Sequence, residues 1–314
     1  KVDLYFAGEV HDMSTQNYAG VEQVVHVHHA ADPAQVGPHR VDVAQEVVGE
    51  AGIGKTRTAR EFAATAEQQG AQSLWGRCYE NPGAPPFWPW VEIIRAYAQE
   101  RTADQLLAEM GAGATDIAGI VPEVRERLPG LAAPSLESPE QARFRLFDSI
   151  TTFLSTATRL QPLVLLLDNL HWADKPSLLL LEALARELEK SRLLVIGTYR
   201  DVELSRAHLL SETLGELTRE VTVRRSPRRG LRREDADRLM LAATGSPSEP
   251  WLVEAVYRQT EGNPLFMTEV VRLLLQEGVL NPHISSPIRQ PRAATGASLQ
   301  IGIPKAFVKS SVNA

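Results

Sequence analysis

The sequence has a single cysteine, Cys78, and no long run of apolar residues. One cysteine excludes an internal disulfide framework and a zinc site built from cysteines, and it is typical of a reducing compartment. The longest apolar runs, residues 163–167 and 178–181, are far shorter than the roughly 20 residues that a membrane-spanning helix needs. A basic-then-apolar leader is also lacking. We therefore expect a cytoplasmic protein with no membrane segment.

What the sequence does contain is an ordinary globular composition. The 314 residues are 43% hydrophobic and 23% charged, with a formal net charge of −6, which excludes disordered and collagen-like classes. The length predicts about two domains of ~150 residues each. The arginine-rich stretch 219–233 could contact nucleic-acid phosphates. We interpret it instead as a solvated linker between subdomains, and we expect no direct DNA contact.

Strand and helix patterns alternate through the middle of the chain. Strand patterns lie at residues 73–75, 163–167, 193–197 and 221–223. Helical patterns lie at residues 56–69, 90–110, 139–158 and 178–188, and then, without further strands, at 233–243, 251–260 and 265–276. The alternation predicts an α/β fold with a parallel sheet between helices. We divide the chain into an irregular segment 1–44, a core 45–228, a small helical lid 229–280 and an irregular tail 281–314.

A glycine-rich segment precedes the first predicted helix. It matches the pattern G-x-x-x-x-G-K-[ST] completely, in the order Gly49, Glu50, Ala51, Gly52, Ile53, Gly54, Lys55 and Thr56. The glycines let backbone N–H groups turn towards phosphate oxygens, and the helix that follows adds its positive end. Lys55 would reach the β- and γ-phosphates, and the Thr56 hydroxyl would bind Mg²⁺. The segment predicts a P-loop nucleotide site in a three-layer core.

A carboxylate ends the most apolar predicted strand. Asp168 directly follows residues 163–167, and a carboxylate at the tip of a buried strand beside a phosphate loop holds Mg²⁺, usually through water. The strand before the loop is less regular, because Ala44, Gln45 and Glu46 interrupt its apolar pattern. Thr56 and Asp168 are therefore the predicted magnesium ligands.

Further motifs lie around these two. They are GRCYE at 76–80, PPFWPW at 85–90, DNLHWAD at 168–174, GTYR at 197–200 and EGNPLF at 261–266. Together they resemble the AAA-type ATPase domain of signal-transduction ATPases with numerous domains (STAND). Such domains occur in LuxR-type and maltose-regulator-like transcription activators and in adenylate-cyclase-linked regulators. The resemblance covers about residues 47–280.

The resemblance implies an ATP-gated switch that binds ATP and Mg²⁺ within a longer regulator, with other domains and oligomer partners. Arg200 resembles the sensor of the γ-phosphate, and its charge would favour the triphosphate over the diphosphate state. Asn263 and Pro264 resemble the lid motif that contacts adenine and ribose. Without the family, Arg200 is a surface arginine, and Asn263-Pro264 is a turn that opens a helix.

One position departs from the family pattern. The magnesium aspartate is usually followed by a second acidic residue that polarises the attacking water, and here that position is Asn169. An amide can orient water but cannot accept its proton. The hypothesis is therefore ATP binding with slow or absent hydrolysis. Asp174 is either a cap of the next helix or a substitute base.

Two alternative functions stay open. One is an active AAA-type ATPase that remodels DNA or protein, and the other is an inert gene remnant. The chain begins at Lys1 rather than at methionine, so we expect a fragment. After Ile303 and Pro304, the family pattern continues with a winged-helix run, and deleting one nucleotide from a constructed coding sequence of that run yields the tail found here. We therefore hypothesise a frameshift near Lys305, and a misframed start by analogy.

Overall fold

The computed structural model describes residues 17–18, 21–22, 44–80, 83–132, 138–188, 191–201, 204, 208–221, 223–278 and 280. Within the segment 1–44, a short antiparallel pair is described, β1 (Asn17–Tyr18) and β2 (Val21–Glu22). The predictions for the remaining residues up to 43, and for the tail 281–314 with its frameshift, lie outside the described residues. The chain forms two compact units, one of residues 29–229 and one of residues 1–28 and 230–314.

The first unit is built on a five-stranded parallel sheet. Its strands are β3 (Ala44–Val48), β4 (Gln72–Arg77), β5 (Leu163–Asp168), β6 (Leu193–Tyr199) and β7 (Val223–Pro227). They lie in the order β4-β5-β6-β3-β7, and every neighbouring pair is parallel. Because parallel strands have their carboxyl ends at one edge of the sheet, the segments that follow β3, β5 and β6 emerge side by side.

Helices connect these strands, and three further helices belong to the second unit, together with the short pair β1 and β2. Those of the first unit are α1 (Lys55–Gln68), α2 (Trp88–Gln99), α3 (Ala103–Met110), α4 (Ala114–Ile117), α5 (Pro122–Arg127), α6 (Pro139–Ala157), α7 (Lys175–Leu188) and α8 (Leu209–Glu220). Those of the second unit are α9 (Arg233–Thr244), α10 (Pro250–Thr260) and α11 (Pro264–Gln276). Short 3₁₀ turns occupy Gly111–Gly113 and Leu170–Trp172.

The helices of the first unit cover both faces of the sheet and give three layers. On one face, α1 packs through Ala59, Ala63 and Ala66 against Val164 and Ile196 of the strands. The other face carries the larger core, to which α2, α6, α7 and α8 contribute. Strand β5 is buried along its whole length, as its unbroken apolar run predicts. The predicted α/β fold with a parallel sheet is confirmed.

One predicted helix is in fact two. The pattern at residues 90–110 was continuous, but α2 ends at Gln99 and α3 begins after Thr102. The Thr102 side chain accepts a hydrogen bond from the backbone N–H of Gln105, and the Gln105 side chain accepts one from the backbone N–H of Thr102. This capping box satisfies N–H groups that a new helix leaves unpaired, so it favours a start at this point. Helices α4, α5 and α8 had no counterpart in the sequence prediction.

The strand before the phosphate loop forms despite its polar residues. The Tyr199 hydroxyl donates to Glu46 Oε2 at 2.6 Å, in the core, and Gln45 Nε2 donates to Ser226 Oγ at 3.1 Å. Each polar side chain thus finds its partner on a neighbouring strand, β6 or β7. These residues interrupt the apolar pattern of the strand but not the strand itself, because paired polar groups can be buried at little net cost.

The second unit has a core of its own. Helices α9, α10 and α11 meet through apolar side chains that include Met240, Val253, Met267 and Val271. Across the described ranges of both units, every helix is too short or too polar to cross a membrane.

Candidate nucleotide-binding site

The glycine-rich segment connects β3 to α1 at the carboxyl edge of the sheet. Gly49, Gly52 and Gly54 have φ angles of 149°, 75° and 100°. Gly54 is the N-cap of α1 in the left-handed region, where a Cβ atom would clash with the backbone. Between these glycines, the Ile53 backbone N–H donates to the carbonyl oxygen of Glu50 at 3.5 Å. The segment therefore makes a tight turn that depends on its glycines.

Lys55 places a buried cation inside this turn. Its side chain is 7% exposed, and its Nζ donates to the carbonyl oxygens of Gly49 at 2.9 Å and Glu50 at 2.8 Å. No acidic residue stands in the first turn of α1. The ammonium group and the positive end of the helix therefore act at one place, which is a suitable environment for phosphate.

Asp168 is the centre of a hydrogen-bonded cluster beside the loop. The Thr56 hydroxyl donates to Asp168 Oδ1 at 3.0 Å and to Oδ2 at 3.2 Å. The Thr198 hydroxyl donates to Oδ1 at 2.6 Å, and Arg77 Nε lies 3.6 Å from Oδ2. Asp168 is 2% exposed. Helix α1 and strands β6 and β4 thus bring three polar side chains to one carboxylate at the end of β5, and the predicted pair Thr56 and Asp168 is in contact.

The donor set at this point fits magnesium. Mg²⁺ takes oxygen ligands and is commonly held by one or two carboxylates, with water and substrate phosphates filling the remaining positions. Thr56 and Asp168 offer a hydroxyl and a carboxylate within hydrogen-bonding distance of each other. No larger group of histidine, cysteine or acidic residues that could hold a metal occurs among the described residues. An ion bound here would therefore need water or phosphate oxygens to complete its coordination.

Asn169 follows Asp168 in an unusual backbone conformation. Its φ and ψ angles are 62° and 45°, in the left-handed region, which asparagine and aspartate tolerate better than most residues. Its backbone N–H donates to Thr198 Oγ1 at 3.0 Å. Thr198 therefore holds both the carboxylate of Asp168 and the backbone of Asn169, and the half-buried Asn169 side chain begins directly beside the predicted magnesium ligand.

Asp174 has the geometry of a helix cap. Its Oδ1 accepts from the Ser177 backbone N–H at 2.9 Å, and its Oδ2 accepts from the Ser177 hydroxyl at 2.6 Å. The Phe87 backbone N–H also points at Oδ1, at 3.4 Å. Both oxygens are thus engaged near the start of α7. This arrangement favours the capping interpretation over a substitute base.

Arg200 directly follows β6 at the same edge of the sheet. Its guanidinium carbon lies 5.3 Å from the centre of the Trp172 ring, within the range of a cation–π contact. Strand β6 lies between β3, which leads into the phosphate loop, and β5, which ends at Asp168. Arg200 is therefore at the edge that carries the other predicted site residues, while its role as a sensor stays a prediction.

Asn263 and Pro264 belong to the second unit. The Asn263 side chain caps α11 by accepting from the Leu265 backbone N–H at 3.1 Å, and Pro264 is the first residue of that helix. The turn that opens a helix, predicted without the family, is therefore present. Contact of these two residues with a nucleotide stays a prediction.

Two members of the Asp168 cluster were not predicted. Thr198 lies on β6 and Arg77 at the end of β4, where it pairs in register with Asp168. Thr198 lies in the motif GTYR and Arg77 in the motif GRCYE. Both motifs contribute to the family resemblance, but the resemblance implied no role for either residue. Only the order of the strands reveals that these motifs converge on one carboxylate.

Comparison with known proteins agrees with this geometry. Residues 39–196 match the family of the AAA ATPase domain. The chain belongs to this family, which confirms the predicted P-loop core and makes nucleotide binding its expected property.

Among solved structures, the chain is similar to a crystal structure of a STAND protein with a tetratricopeptide repeat sensor from Pyrococcus horikoshii. The two are 15% identical with a TM-score of 0.38, over 84% of this chain and 34% of that one. This chain thus spans about a third of the length of that protein. None of the curated proteins matches it.

Proposed function

We propose that this chain is the ATP-binding switch domain of a cytoplasmic STAND-type regulator and that it hydrolyses ATP slowly or not at all. The observation that carries the proposal is the cluster in which Thr56, at the start of α1, donates to the buried Asp168 at 3.0 Å. The cluster lies beside Lys55, and Asn169 occupies the next position along the chain. The set combines the groups needed to hold a magnesium nucleotide with an amide in place of a base.

The proposed binding roles follow from charge and position. Lys55 and the backbone N–H groups of residues 49–54 would neutralise and orient the β- and γ-phosphates. Thr56 and Asp168 would hold Mg²⁺, which supplies charge neutralisation at those phosphates. Asn263 and Pro264 would contact the adenosine part. Together these groups account for binding without requiring hydrolysis.

Slow hydrolysis follows from the chemistry of Asn169. Water that attacks a phosphate must lose a proton, and a carboxylate next to the magnesium ligand would accept it. The amide of Asn169 can hold that water through a hydrogen bond but has no basic lone pair. The nucleotide would therefore stay bound as a triphosphate long enough to act as a signal.

Arg200 would report which nucleotide is bound. A guanidinium that reaches the γ-phosphate gains a charge-assisted hydrogen bond with ATP that ADP cannot offer. Such a difference in affinity is what shifts a protein between two arrangements. In a longer regulator, the arrangement would be transmitted to other domains or oligomer partners, for example those of a LuxR-type transcription activator.

Thermal melting tests the binding part of the proposal. ATP with Mg²⁺ at about 100 times its Kd should stabilise the protein by about 2.7 kcal/mol. Lys55→Ala should remove this shift, because the phosphates lose their main cation. A melting temperature that ATP and Mg²⁺ leave unchanged would contradict the proposal and favour an inert remnant.

Phosphate release tests the hydrolysis part. The unmodified protein should turn over slowly, and Asn169→Asp should raise the rate by restoring a carboxylate at this position. Rapid turnover by the unmodified protein, with no gain in the variant, would favour the active remodelling ATPase. Arg200→Ala serves as the matched test of the sensor, since it should reduce the preference for ATP over ADP.

A further inference from the structure

Arg228 lies directly against the first glycine of the phosphate loop. It follows β7, and its backbone N–H donates to the carbonyl oxygen of Val48 at 2.6 Å. A Cβ atom on Gly49 would lie 2.8 Å from the Arg228 carbonyl oxygen and 3.4 Å from its Cβ. The backbone of Arg228 therefore fixes this side chain beside the start of the loop.

Arg228 is half-buried, and its guanidinium has no counter-charge among the described residues. Its Nε is buried and makes no hydrogen bond, and no carboxylate of the described residues forms an ion pair with it. Nearby arginines differ, because Arg225 pairs with Asp201 at 2.9 Å and Arg219 with Glu216 at 2.7 Å. Burial lowers the pKa of Arg228 from its usual value. A partly buried cation without a counter-charge is stabilised when an anion binds to it.

We propose that Arg228 is an additional nucleotide-binding residue, whose guanidinium donates to the phosphate chain. The inference rests on the proposed function and extends its set of ligand contacts. Phosphate is the group that satisfies both the charge and the planar donor fork of a guanidinium. In the sheet order, β7 lies on the opposite side of β3 from β6 and β5. Arg228 therefore approaches the loop from the side opposite to Asp168 and Thr198.

A binding role and a structural role of Arg228 predict opposite changes in the melting temperature of the ligand-free protein for one substitution. Arg228→Met keeps an unbranched, flexible side chain and the backbone hydrogen bond to Val48 but removes the partly buried charge. Without ligand, the variant should melt at a higher temperature than the unmodified protein, because an uncompensated cation has gone. With ATP, it should bind more weakly, because a charge-assisted hydrogen bond has gone.

Calorimetry with ATP and with tripolyphosphate, both with Mg²⁺, measures the second effect. We expect Arg228→Met to weaken both ligands by about 10- to 100-fold, the range of a hydrogen bond to a charged group. Arg228→Lys should lie between Arg228→Met and the unmodified protein, because it keeps the charge and loses the fork. The exposed neighbour Arg229 provides the matched control, since Arg229→Met should change neither affinity.

Four results would overturn the inference. Unchanged ATP affinity in Arg228→Met, with binding lost in Lys55→Ala, would remove Arg228 from the site and leave the proposed function intact. Weakening of ATP but not of tripolyphosphate would place Arg228 on the nucleoside instead of the phosphates. A lower melting temperature of ligand-free Arg228→Met would indicate a structural role. If the unmodified protein binds neither ligand, the proposed function falls together with the inference.

Discussion

At the scale of single residues, Asn169 meets two demands at once. Its backbone is left-handed, with φ at 62°, and its side chain stands at the position where the sequence resemblance predicts a catalytic acid. Asparagine and aspartate are the side-chain-bearing residues that accept this conformation most readily. An amide in place of an acid at this position would therefore alter the chemistry of the site without disturbing the fold.

We predict that substitutions of Asn169 separate these two demands. Asn169→Ala should lower the free energy of unfolding by about 1–2 kcal/mol, because alanine is strained in this region. Asn169→Asp and Asn169→Gly should stay close to the unmodified protein. Urea unfolding measures all three. A loss in Asn169→Gly as large as that in Asn169→Ala would show that side-chain contacts, not backbone strain, decide the outcome.

At the scale of elements, the start of α7 depends on one carboxylate. Asp174 accepts hydrogen bonds from both the backbone N–H and the hydroxyl of Ser177. We predict that Asp174→Ala lowers the free energy of unfolding by about 1 kcal/mol, the usual effect of losing a helix cap. ATP affinity and turnover should not change. Unaltered stability with a loss of turnover would instead identify Asp174 as the substitute base.

Strand β3 depends on a buried pair that links it to β6. The Tyr199 hydroxyl donates to Glu46 Oε2. Burial is the main cause that raises the pKa of Tyr199 above its ordinary range, and this hydrogen bond is the second. We predict that Tyr199→Phe lowers the free energy of unfolding by about 1–3 kcal/mol, because Glu46 loses its donor in the core.

Glu46→Gln is the matched control for this pair, because it keeps an acceptor for the hydroxyl and should have a smaller effect. In a double-mutant cycle, Glu46→Met combined with Tyr199→Phe should be less destabilising than the sum of the two single changes. Strict additivity would mean that the two side chains do not stabilise the strand as a pair.

At the scale of the whole molecule, the single cysteine influences stability at alkaline pH. Cys78 is 3% exposed, and burial raises the pKa of its thiol above the usual 9.0, with Asp174, Asp168 and Glu92 adding to the rise. The folded protein therefore keeps this proton longer than the unfolded chain. This contribution to stability is complete below about pH 9 and decreases as the pH rises further.

The urea midpoint of the unmodified protein should fall between about pH 8 and about pH 9.5. We predict that this fall is smaller in Cys78→Ala. The thiol of the unmodified protein should also react with iodoacetamide only when urea unfolds the chain, since the thiolate is the reactive form. Tyr97 provides a contrast, because burial raises its pKa from 10.0 to about 12, so its effect begins at higher pH. Rapid labelling of the folded protein would contradict the prediction.

Much of the fold follows from local patterns in the sequence. The apolar run at residues 163–167 predicted β5, and the periodic alanines after the glycine-rich loop predicted α1, because each pattern reports the burial of its own segment. Helix α8 buries Leu210, Thr213 and Leu217. Their spacing of three and four residues is helical, so the sequence does contain a pattern that indicates this helix. The division between α2 and α3 is indicated in the sequence only by the capping box of Thr102 and Gln105, because the apolar pattern continues across it.

The sequence by itself determined the phosphate loop and the alternation of strands and helices, and it predicted that Thr56 and Asp168 act together, because each depends on neighbouring residues or on a known motif. Only the tertiary structure decided that Glu46, 153 residues from Tyr199 along the chain, could be buried in a strand. It also decided that Arg77 and Thr198 meet Asp168 and that Arg228 lies beside Gly49. These contacts arise from the order β4-β5-β6-β3-β7, and local periodicity carries no information about which distant strands become neighbours.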